Sequence, residues 1–161
     1  MRSGRAARGI GSGMSVADFN TKMDQGRMGH VGLPESMAML FHTLGKSLVG
    51  YESSVEPVVA ERLTQTEYFE VPAGKVIGLK QVATGFAPDG EFAALTFLAA
   101  LTVEEEGDII QIQGKPSLEV KLLGTNGDLA TVAIAVNAVP CVYAAEPGLK
   151  TMLDLPIITA F

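Results

Sequence analysis

The chain has 161 residues, 47% of them hydrophobic, a formal charge of −6 and a single cysteine. That apolar content supplies one core with little left for a second, so one compact domain over 1–161 is expected. Scattered acids without a basic stripe exclude a nucleic-acid partner. The lone Cys141 excludes an internal disulfide and a cysteine-rich metal site and fits a reducing, cytoplasmic compartment. The longest apolar run, 92–101, is broken by Thr96 and falls short of the roughly 18 residues a spanning helix needs, so no membrane partner is expected.

The first residues, Met1-Arg2-Ser3-Gly4-Arg5-Ala6-Ala7-Arg8, are basic and small, with no apolar segment after them that would make a secretion signal. Residues 1–14 are expected to be a flexible remnant of a longer ancestor. Ser15 with Asp18 resembles a capping pair, and Val16, Phe19 and Met23 recur at helical spacing up to Gly26. A second helix opens at Pro34, where a proline is pre-organised for a first helical turn. It carries Met37, Leu40, Phe41 and Leu44 on one stripe and stops at Gly45.

From about Ser47 the period moves towards two. Segments 48–60, 67–71 and 75–86 predict strands, Pro88-Asp89-Gly90 predicts a turn, and 91–103 predicts the return strand, although periodicity alone would also allow a buried helix there. Glu104-Glu105-Glu106-Gly107-Asp108 reads as a solvated turn. Ile109 to Gln113 and Leu118 to Leu122 read as a second hairpin, the latter alternating with Glu119 and Lys121. After the turn Gly124-Thr125-Asn126-Gly127, Asp128 can cap a buried helix from Leu129 to Ala145, which Pro140 should kink or end. The tail from Glu146 to Pro156 reads as irregular. These elements predict an α+β fold in which about five or six strands form a mostly antiparallel or mixed sheet, with helices packed on one face.

Gly9, Gly11 and Gly13 have the wrong spacing and context for a dinucleotide fingerprint and read as a loop. Without a phosphate-binding loop or a serine elbow, and with only two histidines, phosphoryl transfer and serine hydrolysis have no visible apparatus. Gly29-His30-Val31-Gly32-Leu33-Pro34-Glu35-Ser36 is a loop entering a helix. Its free N–H groups can hold a carboxylate while His30 and Glu35 offer partners for an ammonium, and the plainer alternative is that His30 closes a loop and Glu35 complements the helix dipole. Asn137 interrupts the apolar stretch 133–139, and a buried amide there needs a backbone or ligand partner.

The block Gly29 to Ser36, Tyr51-Glu52 with Glu56-Pro57-Val58-Val59-Ala60, Gly127-Asp128 with Ala130-Thr131, Asn137-Ala138-Val139-Pro140, and Pro147-Gly148-Leu149 with Thr151-Met152 and Asp154-Leu155-Pro156 resemble the 2,4-diaminopentanoate dehydrogenases. That group is similar in plan to dihydrodipicolinate reductase. The resemblance covers nearly the whole chain from about Gly9. It implies the C-terminal, substrate-side and oligomerisation half of an enzyme whose N-terminal half is a Rossmann domain, no complete copy of which is present in these residues.

It further implies oxidative deamination of a diamino acid. Hydride passes from the amine-bearing carbon to NAD or NADP, and the resulting imine is hydrolysed to a ketone. No cofactor is expected to bind this chain alone, and no metal is expected. The partners implied are a diamino-acid substrate, further copies in a homodimer or homotetramer that meets through the sheet, and a separate Rossmann half if the chain is a split-gene product, a truncation or an excised domain. His30 and Glu35 are the candidates for the catalytic base; the same two, with Ser36 and Asn137 as orienting groups, are the candidates for substrate binding. An alternative from another class is a non-catalytic oligomerisation or ligand-sensing module derived from such an enzyme.

Overall fold

A computed structural model describes residues 4–67, 70–103 and 105–160, with side chains from Ala7 onward. Contacts divide the chain into two compact units, Met1–Val103 and Glu104–Phe161.

In the first unit, α1 spans Gly4–Gly9, α2 Val16–Asp24 and α3 Leu33–Thr43. The capping pair before α2 forms: the Asp18 N–H donates to Ser15 Oγ at 3.1 Å, and the Ser15 hydroxyl donates to the Asp18 carboxylate at 2.7 Å. Pro34 occupies the first turn of α3, whose buried residues are Leu33, Met37 and Phe41 at i, i+4 and i+8. Residues 4–14 hold α1 and a turn, in which Gly11 and Gly13 adopt φ of +86° and +85° and the Gly13 N–H donates to the Val76 carbonyl at 2.8 Å.

The strands are β1 (Gly50–Val59), β2 (Thr64–Gln65), β3 (Glu70–Val71), β4 (Val76–Ala87) and β5 (Gly90–Ala100). The order β1-β4-β5 makes a three-stranded antiparallel sheet, and β2-β3 a separate two-stranded one. Of the strand expected over 67–71, positions 68 and 69 lie outside the described residues and 70–71 form β3. The alternative of a helix over 91–103 is settled in favour of strand, because Pro88-Asp89 turns the chain straight back and β5 pairs along β4. The α+β class and the antiparallel pairing are as expected. The strands are distributed over three sheets, because pairing partners are set by contacts distant in sequence.

Alternation on β4 decides where the core sits. Leu79, Gln81 and Ala83 point to the face that α2 and α3 cover, while Lys80, Val82 and Thr84 point to the other. Leu33, Met37 and Phe41 of α3 pack on Ala83 and Ala87, with Tyr51, Ala93, Leu95 and Phe97 around them. Phe19 of α2, fully buried, packs on Val76 and Leu79. Burying a side chain of this size stabilises by about 1.5–3 kcal/mol. Gly85 lets α3 lie close, since a Cβ there would stand 2.6 Å from Met37 Sδ and 2.7 Å from Phe41. The Tyr51 hydroxyl is buried on this side with no hydrogen-bond partner among the described residues.

The second unit comprises the hairpin β6 (Gly107–Ile112) with β7 (Leu118–Leu123), and α4 (Gly127–Ala144). Of the turn expected at 104–108, Glu104 lies outside the described residues and Gly107 already begins β6. Two corrections concern α4. Its cap is Asn126, whose Oδ1 accepts from the Leu129 N–H at 3.0 Å, and Asp128 falls inside the first turn. Of the two outcomes expected at Pro140, the helix does not end there and runs on to Ala144, since a proline deletes one donor and leaves the other bonds of the ladder in place. No residue of α4 is buried, against the buried helix expected. By length and composition alone α4 would suffice to cross a bilayer, which counting uninterrupted apolar runs misses because Asp128, Thr131 and Asn137 interrupt it.

Candidate functional site

The loop entering α3 is built from the sheet upward. Gln81 lies in the middle of β4 on the helix-covered face, only 6% exposed among apolar neighbours. A buried amide there is costly unless it is bonded. Gln81 Oε1 accepts the backbone N–H of His30 at 2.6 Å, and Gln81 Nε2 donates to Ser53 Oγ on β1 at 3.1 Å. Gly29, at φ +107°, fits against this amide: a Cβ would stand 3.1 Å from Gln81 Oε1 and 3.2 Å from Val55. The backbone angle therefore favours glycine, and a Cβ would press on the amide.

Beyond that anchor the His30 ring is exposed yet held. Its Nδ1 accepts the backbone N–H of Gly32 at 3.0 Å, and its Cε1 lies against Gly32, where a Cβ would stand 2.8 Å away. The Phe97 ring of β5 sits 4.7 Å from it, centroid to centroid, tilted by 51°. Gly32 is also the N-cap of α3 and offers no side-chain bond to the first turn. The helix therefore begins with N–H groups that no capping side chain satisfies, beside an ordered imidazole.

Glu35 is in the first turn of α3 and Ser36 follows it, both exposed and without a side-chain hydrogen bond or ion pair among the described residues. His30, Glu35 and Ser36 are thus gathered by one loop and one helix start. Asn137 belongs to the second unit, on α4, and is half-buried rather than buried, so the penalty for an unpartnered buried amide does not apply to it. Sequence reasoning missed Gln81. The available signal was a glutamine at a core-facing position of a strand whose neighbours on that face, Leu79 and Ala83, are apolar.

The glycines at 9, 11 and 13 do not form a phosphate cradle. Gly11 is spent on Phe19, which a Cβ would approach to 2.9 Å, and Gly13 on β4. A cleft of about 550 Å3 lies in the second unit between the end of α4 and residues 145–155. Its lining combines Ala138, Val142, Leu149, Met152 and Leu155 with the polar Glu146, Lys150 and Thr151, and it includes neither His30 nor Asn137.

Comparison with known proteins converges on one family. The chain is 33% identical over 156 residues to a 2,4-diaminopentanoate dehydrogenase from Acetoanaerobium sticklandii, covering 91% of this chain and 44% of that protein. In structure it is similar to an amine dehydrogenase from Mycobacterium smegmatis, with a TM-score of 0.79, 25% identity, and coverage of 96% of this chain and 47% of the other. The chain thus spans about half the length of the relatives it matches. Residues 4–161 match the family described as the 2,4-diaminopentanoate dehydrogenase C-terminal domain, and the chain belongs to that family.

Proposed function

We propose that this chain is the substrate-side half of an NAD- or NADP-dependent diamino-acid dehydrogenase, and that the Gly29–Ser36 loop binds the amino acid. The observation that carries this reading is the anchoring of an exposed His30 by a buried Gln81 at the uncapped start of α3. The α3 N–H groups suit a carboxylate, Glu35 suits an ammonium, and Ser36 orients the ligand. A bound NAD or NADP would supply the hydride acceptor. The work of this chain is to hold the amine-bearing carbon, take up the ammonium proton and keep the site dry. Glu35 is our candidate for the base.

The experiment is to mix the chain with 2,4-diaminopentanoate and NAD or NADP and to follow reduced nicotinamide, with and without a Rossmann half from a related dehydrogenase. Turnover only in the supplemented mixture is expected. Turnover by the chain alone would overturn the division of labour. Ligand binding without turnover in either mixture would favour the ligand-sensing module.

We further propose that copies associate through the sheet. The face of β4 and β5 opposite the helices carries Val82, Thr84 and Thr96 together with Leu98, which is 49% exposed. Leu98→Glu should lower the sedimentation coefficient from that of an oligomer to that of a monomer. An unchanged coefficient would move the interface elsewhere.

A further inference from the structure

We propose that His30 is a fixed hydrogen-bond donor, carrying its neutral-state proton on Nε2, and that Gln81 is the positioning residue that holds it so. A neutral imidazole has one N–H and one lone pair, and a backbone N–H can only donate. The Gly32 N–H faces His30 Nδ1 at 3.0 Å, so Nδ1 provides the lone pair and the proton resides on Nε2.

Gly32 admits the His30 ring only for want of a Cβ, and Phe97 lies beside it. The backbone beneath is pinned by Gln81, whose amide has one possible orientation: the His30 N–H requires the oxygen, which leaves Nε2 for Ser53. A loop that merely reversed the chain would not need a buried glutamine at the centre of an apolar sheet face that accepts the backbone N–H of an exposed histidine and donates to Ser53.

The chemical consequence rests on the amino-acid site proposed above. An outward Nε2–H meets an acceptor, so the ligand presents an oxygen to His30, and the carboxylate of a zwitterion fits. The ammonium is left to Glu35. Neutral His30 has no outward lone pair and is not the base, which narrows the earlier pair of candidates to Glu35.

Nitrogen-15 NMR of the imidazoles in the full chain, recorded well above neutral pH, tests this directly, and His42→Gln assigns the His30 signals because the chain has only two histidines. His30 Nδ1 is expected at its limiting unprotonated position and Nε2 at its limiting protonated one. Gly32→Ala should return both to the averaged positions of a free imidazole by displacing the ring, and Gln81→Leu should do so by releasing the loop. Averaged signals in the unaltered chain, or fixed signals that persist in a folded Gly32→Ala chain, would overturn the proposal.

Titration then separates it from the reading beneath it. The His30 Nε2 signal should shift with 2,4-diaminopentanoate and not with 1,3-diaminobutane, the same diamine without its carboxylate. Equal shifts with both would overturn the donor-to-carboxylate assignment. A fixed tautomer that neither compound moves would sink the amino-acid site while sustaining the positioning role of Gln81.

Discussion

The two units use apolar residues in opposite ways. In the first, Phe19, Met37 and Phe41 are buried against β4. In the second, α4 is at least as apolar in composition, yet none of its residues is buried and Val136 is 62% exposed. Hydrophobicity along a sequence therefore records a need for cover, and the fold decides whether that cover comes from the same unit. A helix with one apolar stripe, as in α3, specifies a single contact face. A helix that is apolar on every side, as in α4, leaves the contact face unspecified.

The strongest way to break this contrast is a matched pair of truncations. Phe41→Ala should cost about 3–5 kcal/mol in chemical denaturation, whereas Val136→Ala on an exposed helix should stay within about 0.5 kcal/mol. Comparable losses would mean that α4 is covered in solution. Tyr51→Phe sharpens the description of the first unit in the opposite direction. Its hydroxyl is buried without a partner, so removing it should stabilise, by up to about 1–3 kcal/mol and seen as a raised melting temperature. A lower melting temperature would show that the hydroxyl is bonded.

In the second unit local terms dominate. Asn126→Ala removes the cap of α4 and should cost about 1 kcal/mol of helix stability, read as lost helical ellipticity on heating. The smallest effect concerns Glu119. The hydrogen bond from Gln111, with Lys121 beside it, holds its carboxyl below the ordinary range. A lowered folded value means the contribution is present above the unfolded carboxylate range and is lost as pH falls through the folded value. Because the group is fully exposed, Glu119→Gln should only slightly flatten the acid limb of a stability profile; an unchanged limb would show that the pair contributes nothing.

Much of the local structure was legible in the residues themselves. The Ser15 and Asp18 pair, Pro34 at the start of α3 and the Pro88-Asp89 turn are short-range signals, and each marks its element. Three things were not legible. The sorting of strands into separate sheets depends on distant partners. The exposure of α4 depends on tertiary placement that composition does not encode, and with it fell the argument for Asn137 as a buried amide. At the candidate site, His30, Glu35 and Ser36 could be named from the loop and helix start. Gln81 lay hidden in a strand that reads as core, some fifty positions away in sequence, because a hydrogen bond from a sheet to a loop leaves no periodic trace.

Gly85 has a wider consequence for that site. Under the middle of α3 the missing side chain acts as an absent shim: Met37 and Phe41 rest nearly on the sheet backbone. A single methyl inserted there would have to displace Met37 and Phe41, and with them the seating of α3 on the sheet. The N-terminal turn, with Glu35 and Ser36, would swing relative to His30, which is tied to β4 independently through Gln81. One carbon atom under a helix thus bears on how the start of α3, with Glu35 and Ser36, is seated relative to the sheet.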